Sequence, residues 1–327
     1  MRFGATKGNL IHNYTSKFNA SKRKFLTSFL LRLRLKLIII MNTTPSDLNK
    51  LLEIETPIVI CDIGASPADP TPSIEDLINN TNSILYGFEP NEDEFNKLKQ
   101  SEKRKYFNYG IGNGNDEILN ICASPGMSSI LEPNFEYLNL FHSMSDWAKI
   151  IKKKLINTKK LDEINFEKKI DFFKIDVQGY EYEIINNGKT KIKESLVVQI
   201  ETSPIPLYKN EKTFSYICNQ LENLDFELHM FNNIHTRYFK PFVPGNNVTY
   251  SGLHHLFQLD CIFIKKLNFI SNLNIEELKK FILISLYSLK SYDLTLLLLN
   301  KLSNLTQINY LNKFKDYLKD KIMVKKY

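Results

Sequence analysis

The feature that most constrains this chain is an alternation that begins at Pro57: short apolar runs rich in β-branched residues, each followed by a segment with helical spacing. Strands that are apolar on both sides must be covered on both sides, so the pattern predicts an α/β sheet with helices on both faces. The runs IVICD (58–62), SILYGFE (83–89), YFNYG (106–110), DFFKID (171–176) and LVVQIE (196–201) are expected as strands one to five. Helices are expected at 73–80, at 91–100 with Asn91 as N-cap, near 180–187 and at 213–223. FELHM (226–230) and DCIFIKK (260–266) complete the sheet as an antiparallel edge hairpin. Residues 116–169 interrupt the alternation, and an insertion folded as a hairpin or cap is expected there. Beyond Asn274 strand signals stop and two or three amphipathic helices follow, a C-terminal helical appendage over 268–327. The organisation expected is a basic leader at 1–46, a main domain at 47–267 and that extension.

Charge narrows the partners. The chain of 327 residues carries a net charge of +7, but residues 1–46 hold nine Lys or Arg and no Asp or Glu. The remainder has 34 basic and 36 acidic residues and no basic stripe with interleaved aromatics, so a nucleic-acid partner is not expected. The apolar segment 25–41 is interrupted by Arg32, Arg34 and Lys36, too soon for the ~18 apolar residues of a membrane span. The leader is expected to lie outside the fold, with Met41 as a possible start, or to make weak peripheral membrane contact through 22–41. Cys61, Cys122, Cys218 and Cys261 match no metal spacing, which suits a reducing cytoplasm. Oligomeric state is open.

Three motifs carry chemistry. CDIGAS (61–66) is a strand ending in Asp62 and a tight turn at Gly64 and Ala65, where doubly wound sheets receive ligands. YGFEP (86–90) ends the second strand on Glu89, and an acid there can accept both ribose hydroxyls of an adenine nucleoside. KIDVQGYE (174–181) brings Lys174 and Asp176 to the end of the fourth strand before a glycine turn.

These strings, together with NYGIGN (108–113) and its Ser-rich loop, LDEI (161–164), the QIE strand followed by PLY, and LFQLD (256–260), resemble the FkbM family of methyltransferases over roughly 58–266. The resemblance implies a Rossmann-like class I methyltransferase sheet and S-adenosylmethionine as methyl donor. It implies a sugar, glycan or related natural product as hydroxyl acceptor. Cofactor contacts are then expected from Asp62, Gly64, Ala65, Glu89, Pro90, Asn91, Gly110, Ile111 and Asp176. The loop SPADPTPS (66–73) departs from the family's glycine-richer turn. A sulfonium is a good leaving group, so alignment and a base suffice. Asp176 is the first candidate base, Glu201 the second, and His254 or His255 a third from the loop before the last strand. No metal is assigned, although Asp176 and Glu201 together could hold a divalent cation. Two other readings stay open: a catalytically silent scaffold of the same fold, and an NAD(P)-dependent oxidoreductase, for which the single glycine of GASPAD offers a poor phosphate cradle.

Overall fold

The computed structural model describes residues 52–67, 71–245, 252–311 and 314. The leader at 1–46 lies outside the described residues, as do 68–70 of the proline loop and 246–251 of the loop before the last strand.

A seven-stranded sheet organises the chain. β1 (Ile58–Ile63) leads through α1 (Pro72–Asn80) to β2 (Ser83–Phe88), and a single turn of helix, α2 (Glu92–Phe95), precedes β3 (Arg104–Phe107). A short β4 (Gly110–Ile111), β5 (Asp116–Cys122), the helical turns α3 (Phe135–Leu138) and α4 (Met144–Trp147), and β6 (Ile150–Lys159) make up the inserted region. The sheet resumes with β7 (Phe172–Ile175), α5 (Glu181–Asn186), α6 (Lys189–Glu194), β8 (Val197–Thr202), α7 (Phe214–Glu222), β9 (Phe226–Thr236) and β10 (Leu256–Lys265). Two helices, α8 (Ile275–Tyr287) and α9 (Tyr292–Thr306), follow the sheet.

The spatial order is β3-β2-β1-β7-β8-β10-β9. Strands β3 to β8 in that row run parallel, while β10 is antiparallel to both β8 and β9. This is the α/β sheet with an antiparallel edge hairpin that the sequence predicts. Chain order reverses between β1 and β7, which leaves a crevice at their carboxyl ends.

The two sheet faces are covered by different parts of the chain. Val59, Cys61, Phe173, Ile175, Val198 and Ile200 pack against α5, α6 and α7, the helices next to them in sequence. Ile58, Ile60, Phe172, Val197 and Ile262 pack against α1 and, more extensively, against α8 and α9. The C-terminal helices are thus a layer of the fold rather than a separate body. Asn274 caps α8 in a reciprocal capping box with Glu277. From α8, Lys280 Nζ reaches the buried Asp171 carboxylate at 2.9 Å, which also accepts the Val59 backbone N–H at 2.9 Å.

Two local expectations differ. The helix expected at 91–100 stops after one turn, because Gln100 turns back to pair its side-chain amide with both backbone groups of Tyr106. The third strand, expected at 106–110, spans Arg104–Phe107 and then breaks. Asn108 donates instead to the Glu89 carbonyl, and Gly110 and Ile111 join β6 in a second sheet of order β4-β6-β5. The insertion is the hairpin expected for it, docked through a small core in which Phe141 and Met144 meet Leu207, Tyr208 and Phe257. No helix among the described residues is long and apolar enough to cross a membrane.

Candidate active site

A cavity of about 400 Å³ opens at the carboxyl ends of the parallel strands, within the ~300–1,000 Å³ usual for small-molecule sites. Its floor includes Gly64, Glu89, Asp176 and Glu201, and the insertion supplies a wall from Leu119 and the loop 125–130. Gly64 is at φ +87°, and a Cβ there would lie 1.9 Å from the Asp176 carbonyl oxygen. The glycine is therefore required first by the close passage of two protein loops, which brings the ends of β1 and β7 together.

At the β2 end of the cavity stands Glu89. Its Oε1 accepts the Asn91 backbone N–H at 2.6 Å, and burial pushes its carboxyl up to about 7. Beside it, Glu94 pairs one oxygen with Lys97, while its buried Oε2 has no hydrogen-bond partner among the described residues. A buried carboxylate oxygen without a partner at a cavity wall calls for a donor from a ligand.

In the middle, Lys174 is buried between two acids, 3.2 Å from Asp176 and 3.5 Å from Asp62. Asp176 also accepts from the Gln178 side-chain amide at 3.0 Å. The same amide donates to Glu201, and Gln258 donates to Glu201 at 3.1 Å. Gln178 is itself at φ +58° and is fixed by the Tyr208 hydroxyl at 3.2 Å and by Ser129, whose hydroxyl donates to its carbonyl at 2.6 Å. Burial, then the negative charge of Asp176 and Asp260, hold the Glu201 carboxyl well above the usual range, with Lys174 opposing. The turn rests on a further buried acid: Glu181 accepts the Val177 and Gly179 N–H groups, each at 3.1 Å, and burial pushes it up to about 8. Among the described residues, Glu201, His235 and Asp260 form a group of three side chains whose ligand atoms could hold a metal ion.

A family model for the methyltransferase FkbM domain matches residues 62–228, just over half of the chain. The chain belongs to the FkbM methyltransferase family. Among solved structures it is similar to methyltransferase FkbM from Methylobacillus flagellatus KT, at 13% identity and a TM-score of 0.35, over 65% of this chain and 48% of that one. It therefore spans about half the length of that relative. It is also similar to magnesium protoporphyrin IX methyltransferase from Synechocystis PCC 6803. The form with bound SAM gives 8% identity and a TM-score of 0.33 over 81% of this chain and 87% of that one. The form with bound SAH gives 7% and 0.34 over 68% and 83%. No curated protein matches.

Within this FkbM domain, the cavity brings together eight of the residues expected from sequence: Gly64, Glu89, Pro90, Asn91, Gly110, Ile111, Asp176 and Glu201. Asp62 and Ala65 line a neighbouring cavity of about 110 Å³ instead, together with Ile74 and Glu75 of α1. His254 is exposed and does not line the cavity. His255 stacks on Phe141 and meets Phe239 at a tilt, with ring centroids 5.6 and 4.4 Å away. Sequence reasoning passed over Glu94, Gln178, Gln258 and the Ser128–Ser129 wall. The Ser-rich loop, the Q of KIDVQGYE and the Q of LFQLD were visible as motif letters, although Gln258 lies beyond the residues the FkbM model matches.

Proposed function

We propose that this FkbM protein transfers a methyl group from S-adenosylmethionine to a hydroxyl of a sugar, glycan or related natural product. The observation that supports this reading is the placing of acids along one crevice: acceptors for a nucleoside at the β2 end, and a carboxylate pair at the β7–β8 end. Glu89 is placed to accept the ribose hydroxyls, and Glu94 Oε2 to accept one further donor of the nucleoside. Gly110 and Ile111 would border the base, as the cavity lining suggests. When bound, S-adenosylmethionine supplies an activated methyl group on a sulfonium.

The chain's own residues then have three tasks. The Gly64–Asp176 crossing fixes the distance between the nucleoside end and the acid pair, so that acceptor and donor are held in line. The insertion wall at 125–130 narrows the opening and limits water. The acceptor's hydroxyl proton passes to the Asp176 carboxylate, which the Gln178 amide orients and links to Glu201. The four cysteines are all free, and we place the protein in a reducing, cytoplasmic setting.

Calorimetric titration with S-adenosylmethionine tests the reading. Wild type is expected to bind it and not NAD. Glu89→Ala is expected to weaken binding ~10–100-fold, the worth of one hydrogen-bonded charged group at ~1.5–3 kcal/mol. Absence of binding to the folded protein would point to a silent scaffold instead. Methyl transfer from labelled cofactor across hydroxylated glycans then identifies the acceptor.

A further inference from the structure

We propose that Glu201, His235 and Asp260 bind one divalent transition-metal cation beside the acceptor end of the cavity. Its catalytic role rests on the methyltransferase reading, whereas its existence does not.

The three side chains come from three adjacent strands, β8, β9 and β10, and each offers one ligand atom, all within 4.8 Å of one another. Glu201 and Asp260 are direct cross-strand partners, and His235 is opposite Gln258, two positions along. Two carboxylates facing each other across a ladder are unfavourable without a compensating charge. Lys174, the buried cation nearby, lies 3.2 Å from Asp176 and 3.5 Å from Asp62. His235 Nε2 lies 3.9 Å from Asp260 Oδ2. Ligands held at ~2.1 Å from one ion are closer together than this, so a small side-chain contraction completes the site. Irregularities in the β9–β10 ladder fall on both sides of these residues, between Leu256 and Gln258 and between Asp260 and Cys261. Bulges of this kind re-aim side chains next to active sites.

The donor set identifies the class of ion. Carboxylates alone suit Mg²⁺ or Ca²⁺, and an imidazole shifts preference toward Mn²⁺, Fe²⁺ or Zn²⁺. On binding, the imidazole lone pair turns from Asn233, whose amide nitrogen lies 3.0 Å from His235 Nε2, to the ion.

Of the three ligands Glu201 is the one that lines the cavity, so the ion would stand at the cavity's β8 edge, where an acceptor hydroxyl could reach it past Glu201. A free hydroxyl, with a pKa near ~16 in bulk water, is far from matching a carboxylate base, and coordination to a divalent ion lowers it by many units. In this arrangement Glu201 acts as ligand, and the coordinated hydroxyl gives its proton to the Asp176 carboxylate.

The test is Mn²⁺ titration of the full chain, followed by the electron paramagnetic resonance signal of the free ion. One site is expected in wild type. His235→Ala and Asp260→Asn are each expected to weaken it at least ~10-fold, with circular dichroism confirming their fold. His235→Gln replaces any variant that fails to fold. Absence of Mn²⁺ uptake by wild type, or wild-type affinity in both folded variants, would overturn the proposal. Titrating the same wild-type sample with S-adenosylmethionine separates the two readings. Mn²⁺ binding without cofactor binding keeps the site and removes the methyltransferase reading; cofactor binding without Mn²⁺ does the reverse.

Discussion

The two faces of the main sheet are built on the same strands and differ in one respect. Toward α5 and α7 the side chains stay apolar to the carboxyl ends, through Val59, Cys61 and Ile63 on β1, Phe173 and Ile175 on β7, and Val198 and Ile200 on β8. On the opposite face they change midway. Ile58 and Ile60 give way to Asp62, Phe172 to Lys174, Val197 to Gln199 and Glu201, and on the antiparallel β10 Ile264 and Ile262 to Asp260. The C-terminal helices α8 and α9 cover the apolar half of that face. The polar half, expensive to bury unless paired, reaches the cavity through Glu201 and, just past β7, Asp176, while Asp62 lines the smaller neighbouring cavity. The strand-borne carboxylates of the cavity thus come from half of one face, and the other face is apolar support.

The largest effect should come from the polar half. Asp176→Asn is expected to lower kcat ~10²–10⁴-fold through loss of a positioned proton acceptor, with cofactor affinity from calorimetry little changed. An unchanged kcat would mean that Glu201 or bulk solvent takes the proton alone. On the apolar half, Phe281→Ala removes a fully buried ring from α8 where it packs on the sheet. It should cost ~3–5 kcal/mol in denaturant unfolding. A cost under ~1 kcal/mol would mean that α8 is an attachment and not a layer of the core.

A third experiment separates acids that support the fold from acids that act. Glu181 and Glu211, on the supporting side, are pushed by burial up to about 8 and about 7, against an ordinary 4.5. Each binds its proton more tightly folded than unfolded, so its contribution is present below about 4.5 and is lost as pH rises through 7 to 8. Between about pH 5 and about pH 8 the melting temperature should fall, by up to ~1.4 kcal/mol of stability per pH unit for each group. Glu181→Gln should flatten that slope. The smallest effect is expected at the exposed loop: His254→Ala should change kcat/KM by less than about twofold, consistent with its position outside the cavity. A loss of ~10²-fold would restore that loop histidine as the base.

The strands, their carboxyl-end acids and the antiparallel edge pair were legible because each depends on residues close in sequence: alternation within a run, a glycine turn after it, an acid at its tip. Gly64 was legible as special but for another reason than a ligand's approach, since the atom that crowds it is a backbone oxygen 112 residues away. Helix α2 looked longer than it is because Gln100 spends its side chain on Tyr106.

By itself, then, the sequence determined the sheet, its family and most of the crevice, because local periodicity and strand-end chemistry are written in adjacent letters. The tertiary structure alone decided that Asp62 lines the smaller of the two cavities and that Gln178 joins Asp176 to Glu201. It also decided that α8 and α9 join α1 in covering one face of the sheet, and that His235 and Asp260 stand beside Glu201. Each of these depends on the register and bulges by which strands far apart in the chain are paired, and such pairings leave no mark on any one segment.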